Sequence, residues 1–192
     1  MKVRLIATGT RPLIMHNVQL ASPLNAYAKR LKTLNGKRNK TDDDRLEIAR
    51  VEWEGSFYFD PEVGPYVPGP NVFRSLINGA RITKAGKRVE RGVLVTELVM
   101  PLIYKGPRDL ASLWGNGESE WVDVRTVVVQ RSKIDRCRPV FRQWAFGADI
   151  LLGPKVIDFD EFVEVAQNAG QFEGIGDYRL MYGRFSAEVS RL

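Results

Sequence analysis

Cysteine and histidine are nearly absent from this chain of 192 residues, which has one of each, Cys137 and His16. A single cysteine excludes an internal disulfide, and one of each residue cannot complete a Cys/His zinc site. No metal or cofactor is expected. Cys137 lies between Arg136 and Arg138, which favour a thiolate, but a Cys-His pair forms only if His16 folds against it. Long apolar runs are missing too. Residues 1–6 lack the apolar core of a signal peptide, and no stretch approaches membrane-spanning length. A cytoplasmic location without a membrane partner is the expectation. With no internal repeat and no low-complexity linker, the length predicts one domain.

What the chain does have is apolar residues and positive charge. A hydrophobic content of 44% with 10 prolines and 17 glycines composes a folded globule, and a formal net charge of +6 points to phosphate-bearing partners. The cations gather in three segments. Lys29, Arg30, Lys32, Lys37, Arg38 and Lys40 follow one another with no acidic residue among them. Lys84, Lys87, Arg88 and Arg91 form a second group, and Arg131, Lys133, Arg136 and Arg138 a third. Tyr27, Trp53, Tyr58, Phe141, Trp144, Tyr178 and Tyr182 lie near the cations or the C-terminal glycines, and an exposed ring that stacks a base contributes roughly 1–3 kcal/mol.

Periodicity divides the chain into elements. Residues 2–8 alternate Val3, Leu5 and Ala7 with Lys2, Arg4 and Ile6, which predicts a first strand open to solvent on one face. Ser22 as N-cap and Pro23 in the first turn predict a helix over about 22–33. Thr41 before Asp42, Asp43 and Asp44 predicts a second helix to about Trp53. Consecutive aspartates point in different directions there, so they cap the helix rather than hold an ion. This pair, at about 20–53, has few large apolar residues and is expected to project as a basic finger. A short strand is expected at 55–59. A helix follows at 71–82, opened by Pro68-Gly69-Pro70, with Val72, Phe73, Leu76, Ile77 and Ala80 at helical spacing and first amides that offer a phosphate seat. Beyond it the pattern predicts a basic loop at 84–91, a strand at 92–99 and a loop at 105–120. A strand at 121–129, a basic segment to Pro139 and a strand within 140–152 come next. A helix capped by Asp158 and stopped by Gly170 precedes a last strand at 185–189. Without the insertion the order is β-α-β-β-α-β, an α+β, ferredoxin-like (RRM-like) core carrying a helical basic insertion.

Between the last helix and the last strand stand Gly174-Ile-Gly176-Asp-Tyr-Arg179 and Tyr182-Gly183-Arg184-Phe185. Glycine lets the backbone approach a ligand, and Arg179 and Arg184 place cations beside that bare main chain, an arrangement suited to an anionic polymer. Glycines that only turn the chain are the alternative. No strand runs directly into the loop, which argues against a dinucleotide fingerprint. Gly-x-Gly-x-x-Arg followed by Gly-Arg-Phe resembles the signature of the RAMP superfamily of CRISPR-associated RNA-binding proteins. Arg11-Pro-Leu-Ile-Met-His16-Asn17 and Val67-Pro-Gly-Pro70-Asn71 are similar to stretches of its backbone subunits. Tyr182 stands where that pattern usually has a further glycine, and the same spacing also resembles small phage-encoded proteins. The resemblance implies one RAMP-like domain over 1–192, in a bacterial or phage-infected cell, that binds guide RNA along its phosphates and packs against its own copies. It implies Arg179, Arg184 and the amides near Gly69 and Asn71 as RNA-backbone contacts.

The leading expectation is a non-catalytic protein that binds single-stranded RNA or DNA, RNA first, and self-associates or joins other subunits of a ribonucleoprotein complex. Its contacts are expected from Lys29, Arg30, Lys32, Lys37, Arg38, Lys40, Asn71, Arg74, Lys84, Lys87, Arg88, Arg136, Arg138, Gly174, Gly176, Arg179 and Arg184. This requires the three basic segments to meet on one face. A second reading is a metal-independent endoribonuclease with His16 as general acid or base and Lys37, Arg38 or Arg179 stabilising the phosphorane. A third is a phage structural or interaction protein that docks on a protein surface.

Overall fold

The computed structural model describes residues 1–129, 131–179 and 181–192. Its α+β fold has a four-stranded antiparallel sheet at its centre, in the order β10-β1-β9-β5. Here β1 is Lys2–Gly9, β5 is Val93–Val95, β9 is Ala145–Leu152 and β10 is Phe185–Arg191. The first strand forms as its alternation predicts: Val3, Leu5 and Ala7 are fully buried and match Ile150, Ala148 and Phe146 of β9. Two helices cover that apolar face. In α3, Gly69–Ile82, Val72, Leu76, Ile77 and Ala80 form the buried stripe, and α6, Phe159–Asn168, contributes Phe162, Val165 and Ala166. The helices meet where Gly79 lies against Ala169, too close for a side chain at 79.

Two small sheets flank this core. One is β2, β8 and β7, where β2 is Leu13–Ile14 and β7, Val122–Val129, forms a long hairpin with β8, Ser132–Phe141. The other is β3, Phe59–Asp60, with β4, Gly64–Pro68, and β6, Val99–Pro101. Beneath them an aromatic cluster is built from α2, Asp42–Ser56. Trp53 packs edge-on to Phe57 with ring centroids 4.5 Å apart, and its indole N–H donates to the Trp121 carbonyl at 3.1 Å.

Several local expectations change. The first helix, α1, is Ala26–Asn35 and is capped by Asn25, whose side chain accepts from the Tyr27 amide, so Ser22 and Pro23 lie before it. The pair α1/α2 does not project as a whole: α1 buries no residue, but α2 drives Val51, Glu52 and Trp53 into the core and continues through the stretch expected to start a strand at 55. Its N-terminus is closed as expected, with Thr41 and Asp44 each accepting the other's amide. The basic loop at 84–91 is mostly a helix, α4, Gly86–Gly92, anchored by buried Val89. A short helix, α5, Leu110–Trp114, interrupts the expected loop at 105–120. The third basic segment is strand β8 itself. Gly170 does not stop α6: a π-turn, Ala169–Glu173, continues it to Gly174, which has φ 68°. Among the described residues no helix is long and apolar enough to cross a membrane.

Candidate nucleic-acid interface

The glycine loop is bolted down at both ends. The Ile175 amide donates to the Gly183 carbonyl at 2.9 Å, the Gly183 amide to the Pro12 carbonyl at 2.7 Å and the Asp177 amide to the Ile14 carbonyl at 2.8 Å. From the helix side Ser75, buried in the stripe of α3, donates its hydroxyl to the Gly174 carbonyl at 2.8 Å. Gly174, Gly176 and Gly183 all have φ between 68° and 81°, and a side chain at 176 would strike the Ile14 carbonyl and the Leu13 side chain. These glycines therefore serve the packing of the loop on β2 whatever else they do.

Held this way, the loop forms one wall of a cleft of about 230 Å³ lined by His16, Tyr58, Asn71, Arg74, Ile175, Gly176 and Arg179. Asn71 and Arg74 come from the first turns of α3, which Pro70 helps to start, and His16 follows β2. Arg74 and Arg179 are exposed, and among the described residues neither side chain has an ion-pair partner. The Gly69 amide is already used: it donates to the Leu98 carbonyl at 3.0 Å, which removes it from the expected phosphate contacts. His16 stands at the rim with much of its surface in solvent. Crowding of its imidazole by neighbouring atoms, then the Arg138 cation, lower its pKa below the usual 6.5 against the opposing pull of Glu52. Its ring is therefore neutral at pH 7, able to accept a proton or a hydrogen bond.

The other expected contacts divide. Arg138 is paired with Asp177, and Arg136 with Glu52, whose second oxygen accepts the Cys137 amide at 3.1 Å. Both arginines are thus committed to holding the β7–β8 hairpin against the loop and α2. Burial pushes the Cys137 thiol up to about 12, which rules out the thiolate its flanking arginines suggested. Arg184 donates to the Arg179 and Gln171 carbonyls, bracing the loop. In the first segment Arg30 pairs with Glu47, Lys37 with Asp44, and Lys40 donates to the Asn35 and Lys37 carbonyls, whereas Lys29, Lys32 and Arg38 remain at the surface. Lys40 and Arg136 border a second groove of about 320 Å³ between α2 and the hairpin, so the first and third segments adjoin. The second does not join them. Lys84, Lys87 and Arg88 lie past the far end of α3, whose last residue is about 16 Å from Asn71 at 1.5 Å per residue, and Arg88 pairs with Glu161.

The expected stacking rings are also sorted by burial. Trp53, Phe141 and Trp144 are core residues. The open face of the main sheet presents Lys2, Arg4, Ile6, Thr8, Ala145, Gly147, Asp149 and Leu151, and Ser186, Glu188 and Ser190 from β10. It has no aromatic side chain for the sheet-face stacking that RRM domains use. Ser75 and Asp177 hold the loop that walls the cleft and Tyr58 lines it, roles that sequence reasoning does not assign to them. Asp177 stands within the glycine motif and Tyr58 among the candidate rings, and Ser75 leaves its own trace as a polar residue between Val72 and Leu76 on the apolar side of α3. No protein-family model matches the chain and no curated protein matches it, so the use of the cleft is read from its own chemistry.

Proposed function

We propose that this chain binds single-stranded nucleic acid, RNA before DNA, as a non-catalytic protein with a RAMP-like, ferredoxin-like core that associates with its own copies along the strand. The order β10-β1-β9-β5, with α3 between β1 and β5 and α6 between β9 and β10, supports a β-α-β-β-α-β core, because β1 and β5 run parallel with β9 between them. The observation that carries the function is the cleft. Residues far apart in sequence, Asn71 and Arg74 on one wall and Gly176 and Arg179 on the other, converge on a channel with two exposed guanidinium groups and bare backbone. That is chemistry for a sugar-phosphate chain, since guanidinium matches phosphate geometry and no base need be read.

Anisotropy titrations of labelled oligouridine and oligothymidine at rising salt test this. The parent should bind with affinity that falls steeply with salt. The variant Arg74→Glu/Arg179→Glu should bind more than about tenfold more weakly, its log-log salt slope reduced by about 0.7 for each phosphate no longer neutralised. A parent that binds neither oligomer at low salt, or a variant that binds equally well, overturns the reading. A second reading, endoribonuclease activity, is favoured by His16 alone, a neutral imidazole at the rim of the same cleft. It requires cleavage of a structured RNA that His16→Ala abolishes.

A further inference from the structure

Tyr178 is a non-glycine residue with φ 51°, in the left-handed region that bulky side chains avoid and Gly or Asn tolerate. The surrounding loop enforces it: the Met181 and Tyr182 amides both donate to the Tyr178 carbonyl, at 3.1 and 3.0 Å, and the Asp177 amide is fixed to Ile14. The core does not require a tyrosine here, because the residue is 57% exposed and lies outside the core. Phe172 and Tyr178 are the exposed large aromatics among the described residues, and Tyr178 adjoins Arg179, which lines the cleft.

Its ring is the outer member of a stack. Tyr178 and Tyr182 have centroids 5.7 Å apart and planes inclined by 35°. The Arg125 guanidinium lies over Tyr182 at 4.7 Å and donates to its hydroxyl at 3.1 Å. Arg125 is itself held by both carboxylate oxygens of Asp123, at 2.5 and 2.6 Å. Asp123 and Arg125 belong to β7, so that strand backs the stack from one side. Among the described residues no other ring or cation stacks on Tyr178.

We infer that Tyr178 is a stacking platform for an unpaired nucleobase, taking the base of a nucleotide whose phosphate lies against Arg179. The inference rests on the nucleic-acid reading above and goes beyond it by assigning a base contact that phosphate binding does not require. An aromatic stack is tolerant of base identity, so the platform adds affinity without sequence preference. It also differs from the arginine contacts in its response to salt, since stacking releases no counterions.

The test compares the parent with Tyr178→Asn, which suits the backbone and removes the ring, Tyr178→Phe, which keeps it, and Arg179→Ala. Each is titrated with labelled oligouridine and with an abasic oligomer of the same length, and each is checked by thermal melting. Tyr178→Asn should weaken oligouridine binding about five- to 150-fold with an unchanged salt slope, leave abasic binding unchanged and melt no lower than the parent. Tyr178→Phe should bind like the parent. Oligouridine binding by Tyr178→Asn within about twofold of the parent, beside a clear weakening in Arg179→Ala, overturns the platform and leaves the phosphate cleft standing. Equal weakening on the abasic oligomer also overturns it, since that shows a change in the loop rather than the removal of a base platform. A parent that binds no oligomer removes both readings together.

Discussion

The glycines of the C-terminal loop invite two explanations, close approach of a ligand or close approach of the chain to itself, and Gly176→Ala separates them. At φ 81° an alanine carries the left-handed penalty of about 1–2 kcal/mol. Its methyl would also fall 2.6 Å from the Leu13 Cδ1 and strike the Ile14 carbonyl. That carbonyl cannot retreat cheaply, because it accepts the Asp177 amide at 2.8 Å and belongs to a strand paired with Val140 of β8. Overpacking of this kind costs a further 1–3 kcal/mol or so, for a total of about 2–5 kcal/mol. In a chain of this size that lowers the melting temperature by about 4–20 °C. Gly36→Ala is the control. Gly36 has φ −72° and ψ −14°, and a methyl there comes no closer than 3.4 Å to the Lys32 carbonyl, so the same substitution should be neutral or stabilise by about 0.4–1 kcal/mol. Calorimetry of the two variants reads the difference directly. If Gly176→Ala melts within about 2 °C of the parent yet loses oligonucleotide binding, the glycine is kept for the ligand and the packing argument is wrong.

Two further outcomes follow from buried and crowded charges. Glu52→Ala orphans the Cys137 amide and breaks the pair with Arg136; the Glu52 side chain is only 9% exposed but that of Arg136 is 35% exposed, so the destabilisation is reduced by solvent to about 2–3 kcal/mol. Urea unfolding should show a lower midpoint at unchanged slope, and an unchanged midpoint would contradict the role given to Glu52. For His16, the unfolded imidazole binds protons more readily than the folded one, so stability is full above about pH 6.5 and declines as pH falls through that value towards the lower folded pKa. His16→Gln should flatten the melting temperature between about pH 7 and pH 5, a window well above the titration of Asp44 and Asp149, whose pKa values lie below the usual 3.8. An equally steep decline in the variant would place the proton uptake elsewhere.

Local rules make some elements legible from residue order alone. Alternation of Val3, Leu5 and Ala7 marks β1, the Thr41/Asp44 capping box marks α2, and Asp158 with the Glu161 amide marks the start of α6. Residues whose partners lie far along the chain are the ones that mislead. The arginines of β8 look like a basic loop because Glu52 and Asp177, which receive them, come from α2 and the glycine loop. Helix α4 is seven residues with Val89 as its main anchor, too little periodicity to separate from a turn. At the cleft, composition and spacing name the types of residue. Their convergence is invisible there, since it depends on Ser75 and Pro12 pinning the loop beside α3.

The position of β1 in the main sheet has a consequence for how the chain acquires its shape. β1 leaves the ribosome well before both strands that flank it, β9 and β10, which belong to the last third of these residues. Neither edge of β1 can be satisfied until those strands have been made, and the cover over Val3, Leu5 and Ala7 is complete only when α6 joins α3. Such distant pairing slows the search for the native state, because a long segment has to be closed before the contacts that reward closure exist. The locally encoded helices should form early by comparison, and assembly of the sheet, with the seating of the loop on β2, should come late in folding.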